Sequence, residues 1–166
     1  MKKRTYRLLN MIYGGVSGLL TGGVMKFFWI SFGHKPAMLF MLLIHQMHVF
    51  SKIQEKTHVS DDALLVGMHF VTATILGVVF ALLSHRLVKS VWNGLGLGFL
   101  FGMMWWVLTP FYLLPFFFVV SPNVHWTDLT MYDLLQTLGS HIIFGVVLGF
   151  FYALFCILLR RQARDG

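Results

Sequence analysis

The chain has 166 residues, 57% of them apolar and 11% charged, with 13 Lys/Arg against 6 Asp/Glu, 16 glycines and one cysteine. A soluble domain of this size is roughly a quarter charged, so this composition excludes a soluble globular protein. The single Cys156 excludes a disulfide framework and any CxxC metal or redox motif.

Four apolar runs have the length, about 20 residues, that a helix needs to cross about 30 Å of hydrocarbon. They are 9–32, 63–83, 91–112 and 134–159. Helices are expected because lipid cannot satisfy an open strand edge, and the runs lack the apolar/polar alternation of barrel strands.

The first run follows Lys2, Lys3, Arg4 and Arg7, as a signal peptide would. It is too long for one, contains Lys26 and lacks a small-x-small cleavage site, so a retained span is expected. The segment 36–50 is too short to span and is expected to form an external interfacial or re-entrant helix. Its His45 and His48 stand at i, i+3, a workable spacing for a transition metal, with His125 as a third candidate ligand on the same side. An interfacial helix dipping its polar edge among headgroups explains the same residues more simply.

Charge placement selects four spans over five. With four, Lys2, Lys3, Arg4, Arg7, Arg86, Lys89, Arg160, Arg161 and Arg164 share one side with Asp165 alone. The other side holds Lys35, Lys52 and Lys56 with Glu55, Asp61, Asp62, Asp128 and Asp133. The positive-inside rule then makes both termini cytoplasmic. A fifth crossing would export the Arg160, Arg161 and Arg164 cluster. The net charge of +7 is topology signal, and nucleic acid is not an expected partner.

The chain repeats itself. Gly67, His69, Gly77 and Ala81 align with Gly139, His141, Gly149 and Ala153 at an offset of 72, where Asp61 also falls on Asp133. Gly14, Gly18 and Gly22 align with Gly94, Gly98 and Gly102 at an offset of 80. The predicted fold is therefore an all-α, integral-membrane four-helix bundle built as a 2+2 tandem repeat, its halves related by an axis along the membrane normal. Each span carries a small residue at every fourth position: Gly14/Gly18/Gly22, Ala73/Gly77/Ala81, Gly94/Gly98/Gly102 and Gly145/Gly149/Ala153. Such stripes let helix backbones approach closely where lipid provides no hydrophobic drive.

Extending the stripes outward by whole turns reaches Lys26, His69, Trp106 and His141, each some 5–10 Å below the external boundary at about 1.5 Å per residue. Asp61 and Asp133 lie nearer the external mouth. Ionisable groups inside a membrane are functional candidates by default, so these six residues form the predicted pocket. The plainer reading has neutral histidines bonded to a neighbouring helix and a snorkelling Lys26. Three functional readings stand beside it. The pocket could respond to or conduct protons, since seven of the eight histidines lie toward the external side. His69 and His141 could ligate a b-type haem or a transition metal. The positive pocket could hold an anionic solute or lipid headgroup.

No nucleophile–base pair, phosphate loop or dinucleotide fingerprint is found, and Ser140 and His141 point about 100° apart on a helix. The expectation is a non-enzymatic protein with no catalytic residue. An accessory or assembly subunit, packing through its glycine faces as a homo-oligomer or within a larger membrane complex, is the structural alternative.

The run from His69-Phe70 through Gly77 to Leu82, the Trp92-Asn93-Gly94 opening of the third span, Thr109-Pro110 at its end and Gly139-Ser140-His141 before Arg160-Arg161 together carry a resemblance. The chain is similar over residues 9–161 to the YagU-like family of small bacterial inner-membrane proteins. The resemblance implies a multi-pass protein of the bacterial cytoplasmic membrane; it brings no reaction with it. The Gly14/Gly18/Gly22 stripe and the His45/His48 segment lie outside the matched features.

Overall fold

The structure, a computed structural model, describes residues 3–32, 52, 55–109 and 131–165. It contains four long helices: α1 Lys3–Phe32, α2 Asp61–Ser84, α3 Val91–Leu108 and α4 Met131–Asp165. Each includes a stretch long and apolar enough to cross a membrane: Thr5–Phe28, Asp61–Ser84, Val91–Leu108 and Leu134–Arg160. Among the described residues there is no strand. The protein is thus an all-α, multi-pass membrane protein. The segment 36–50 and residues 110–112 of the predicted third span lie outside the described residues.

Helix ends follow local chemistry. Ser60 caps α2 by accepting the Ala63 N–H at 3.3 Å, and Asp61 and Asp62 then place negative charge at the positive end of the helix dipole. Ser90 caps α3 by accepting the Asn93 N–H at 3.2 Å while its hydroxyl donates to Asn93 Oδ1 at 2.8 Å. The helix α1 starts six residues before the predicted span, because Lys3 to Arg7 continue the helix beyond the apolar boundary.

The helices associate as two antiparallel pairs. The most extensive packing is α3 on α4 and α1 on α2; α1 and α4 share a smaller interface, and α2 meets α3 only slightly. The glycine stripes make both pairs. A Cβ on Gly14 would lie 2.5 Å from the Gly77 carbonyl oxygen, and one on Gly94 would lie 2.5 Å from the Gly149 carbonyl oxygen. Likewise Gly18 faces the Ala73 carbonyl, and Gly98 faces the Gly145 carbonyl. These contacts recur at the offsets of 80 and 72, so the two pairs are built on one plan.

Between the pairs, Phe80 meets Phe101 and Tyr152 edge-on at 5.2 and 5.6 Å, and Leu76, Val88, Leu148 and Cys156 complete the core. Tyr13 of α1 stacks on Phe155 of α4 at 5.1 Å. At the same end, the Arg160 guanidinium donates to the Val88 and Lys89 carbonyls and ties α4 to the α2–α3 connection. Arg86 and Lys89 therefore share one end of the bundle with Arg160.

Candidate functional site

Helix α2 opens with Asp61, which is exposed, and His69 follows after eight residues, about 12 Å along the helix. His69 is only 8% exposed. Its Nε2–H donates to the Gly22 carbonyl of α1 at 3.1 Å, a bond across the helix pair at a place where a Cβ on Gly22 would press on Phe70 and Ala73. The ring also sits edge-on to Phe70 at 5.6 Å. Lys26, half-buried and one turn beyond Gly22, lies within electrostatic range of His69.

The corresponding place in the second pair is arranged differently. His141 is half-buried, and its Nδ1–H donates to the Thr137 carbonyl of its own helix at 2.8 Å. Trp106, at the position equivalent to Lys26, donates its Nε1–H to Thr137 Oγ1 at 3.2 Å, and Thr137 donates in turn to the Leu134 carbonyl at 2.9 Å. Asp133 stands in the first turn of α4.

The structure thus brings Lys26 together with His69 across α1 and α2, and Trp106 together with the His141 turn across α3 and α4. Among the described residues no hydrogen bond or ring contact joins His69 to His141. Of the residues predicted to line a single pocket, Lys26 with His69 and Trp106 with His141 thus fall into two half-sites, one with a lysine and one with an indole.

A haem or metal bridging the two histidines would have to work with these engagements. His69 Nε2 is occupied by a carbonyl, and the two rings are oriented by different helix pairs. Among the described residues, no three His, Cys, Asp or Glu side chains gather as a metal site requires. His45, His48 and His125 lie outside the described residues.

Three polar residues on α1 escaped the sequence reading. Asn10, Ser17 and Thr21 are buried, at 3%, 0% and 0% exposure. With Gly14 they follow the i+4, i+3, i+4 spacing of one helix face, which was a readable signal. Ser17 donates to the Tyr13 carbonyl and Thr21 to the Ser17 carbonyl, both at 2.7 Å, so their hydroxyl protons are satisfied within α1. The Asn10 amide nitrogen and oxygen find no hydrogen-bond partner among the described residues. Farther along the helices from the histidines, Phe80, Phe101, Leu148 and Tyr152 are all buried.

Chemically, the Lys26–His69 half-site holds an imidazole in a bond across two helices, within electrostatic range of a lysine. A second proton on that ring would add a positive charge within electrostatic range of Lys26. Comparison of the chain with family models, with curated proteins and with solved structures finds no match.

Proposed function

We propose that this multi-pass protein resides in a bacterial cytoplasmic membrane with both termini cytoplasmic, and that it responds to protons on its external side without catalysing a reaction. The location rests on the basic residues gathered at one end and on the resemblance to the YagU-like family. The observation that carries the function is the buried His69, bonded to the Gly22 carbonyl of the facing helix with Lys26 beside it.

The mechanism is electrostatic. Outside acidity reaches His69 from the Asp61 end of α2; a proton on His69 then repels Lys26 and weakens the external end of the α1–α2 pair. The pair is fully held when the imidazole is neutral and loosens as pH falls through the histidine range. A response is favoured over conduction of protons or solutes, because Phe80, Phe101 and Leu148 pack into a buried apolar cluster deeper in the bundle than the site. The subunit reading draws less support, since the glycine stripes are filled by partner helices of the same chain.

The test is thermal stability of the purified protein across pH 5–8, the range in which imidazole titrates. The wild type is expected to melt lower in acid, and His69→Gln, which keeps an N–H donor without a titrating ring, to flatten that slope. His141→Gln should leave most of it. A slope unchanged in His69→Gln refutes the reading. Proton flux into proteoliposomes that disappears in the same variant would replace response by conduction.

A further inference from the structure

On the lipid-facing side of the α1–α2 pair lies a groove of about 250 Å³ lined by Leu19, Phe70, Val71, Thr74 and Ile75. Its walls are hydrocarbon. The one hydroxyl, that of Thr74, donates its proton to the Phe70 carbonyl of its own helix at 2.8 Å. Leu19, Val71 and Ile75 are exposed.

Above the groove, toward the external side, the chemistry changes. Lys26 follows Leu19 by seven residues, two helical turns, and so stands on the same face of α1 about 10 Å farther out. Gly67 follows the same logic on α2, one turn outward of Val71. A Cβ on Gly67 or on Gly23 would meet nothing within 4 Å, so there is open space on both helices near the Lys26 level. Among the described residues no carboxylate pairs with Lys26.

We propose that this groove binds one anionic phospholipid, with an acyl chain along Leu19, Phe70, Val71, Thr74 and Ile75 and the headgroup phosphate on the Lys26 ammonium. The occupant follows from charge and position: an apolar trough at membrane depth takes a chain, and a lysine at its outer end takes a phosphate. The second helix pair supplies a built-in comparison. There Phe99 replaces Leu19 and Ile143 replaces Val71, keeping the walls apolar, but Trp106 replaces Lys26 and is already bonded to Thr137. That face is not expected to discriminate between headgroups.

Native mass spectrometry of the full chain from mild detergent, with equal amounts of phosphatidylglycerol and phosphatidylcholine of the same acyl chains, tests this. The wild type should retain phosphatidylglycerol in about fivefold preference, the factor expected for one lysine at a headgroup. Lys26→Met should bring the ratio to about one, and Lys26→Arg should keep it. Val71→Trp, which fills the groove, should reduce retention of both lipids. Trp106→Phe and His69→Gln should leave the ratio unchanged, so this site and the proton response can fail separately. An unchanged preference in Lys26→Met overturns the proposal. So does binding of inorganic phosphate that displaces the lipid equally well in Val71→Trp, because the site would then recognise an anion without a chain.

Discussion

Gly96 and Gly98 lie two residues apart on α3 and on opposite sides of it. A Cβ at Gly98 would run into the Gly145 carbonyl oxygen, which belongs to a helix backbone and cannot swing aside, whereas one at Gly96 would meet nothing within 4 Å. Gly98→Ala is therefore expected to cost at least about 1–3 kcal/mol by forcing α3 and α4 apart. Gly96→Ala should be neutral or gain up to about 1 kcal/mol from the backbone entropy that alanine removes. The single thiol offers the readout: Cys156 is buried, so a maleimide dye reacts with it only as the bundle opens on heating. Equal melting shifts for the two variants would mean that α3 and α4 do not meet along this stripe. Individual residues of this kind were legible because glycine at every fourth position has a single physical use in lipid. Asn10, Ser17 and Thr21 share a face with Gly14 and were readable by the same spacing, but following the glycines outward from Gly14 to Lys26 leads away from Asn10 and passes over the two hydroxyls.

At the scale of the helix, span existence was set by apolar length, and the pairing by the stripes. What periodicity does not contain is the direction of a side chain at the end of a stripe. His69 and His141 occupy equivalent positions, yet one ring bonds across to α1 and the other turns back on α4. Their neighbours differ as well, Lys26 in one pair and Trp106 in the other, and a single helical wheel shows neither. Helix caps were also readable but went unread: Ser90 holds the first turn of α3 through a reciprocal pair of bonds with Asn93. Ser90→Ala should lower stability by about 1 kcal/mol, and Ser90→Asp, whose carboxylate can cap the same N–H at the positive end of the helix, should recover most of it. Melting temperatures of the two variants decide this; no loss in Ser90→Ala would mean the first turn of α3 is held by packing alone.

For the whole molecule, the consequential question is which way the bundle sits in the membrane. The helices alternate in direction, so the α2–α3 connection, the start of α1 and the end of α4 lie at one end, and Arg160 is bonded to that connection at Val88 and Lys89. Moving this end through hydrocarbon would carry Arg7, Arg86, Lys89 and Arg160 together, each costing several kcal/mol at mid-bilayer. Asp61 and Asp62 mark the opposite end, where carboxylates oppose translocation little. In intact cells, Asp62→Cys should accordingly react with a membrane-impermeant maleimide, and Lys89→Cys only after the membrane is permeabilised. Both positions are exposed in the fold, so a difference between them reports sidedness rather than burial. The native Cys156 is buried and contributes little background. If both cysteines react from outside, the chain crosses an odd number of times between residues 62 and 89 only on paper, and the positive-inside assignment falls with the external placement of His69. If they differ as expected, the Lys26–His69 half-site opens toward the compartment whose acidity it is proposed to sense.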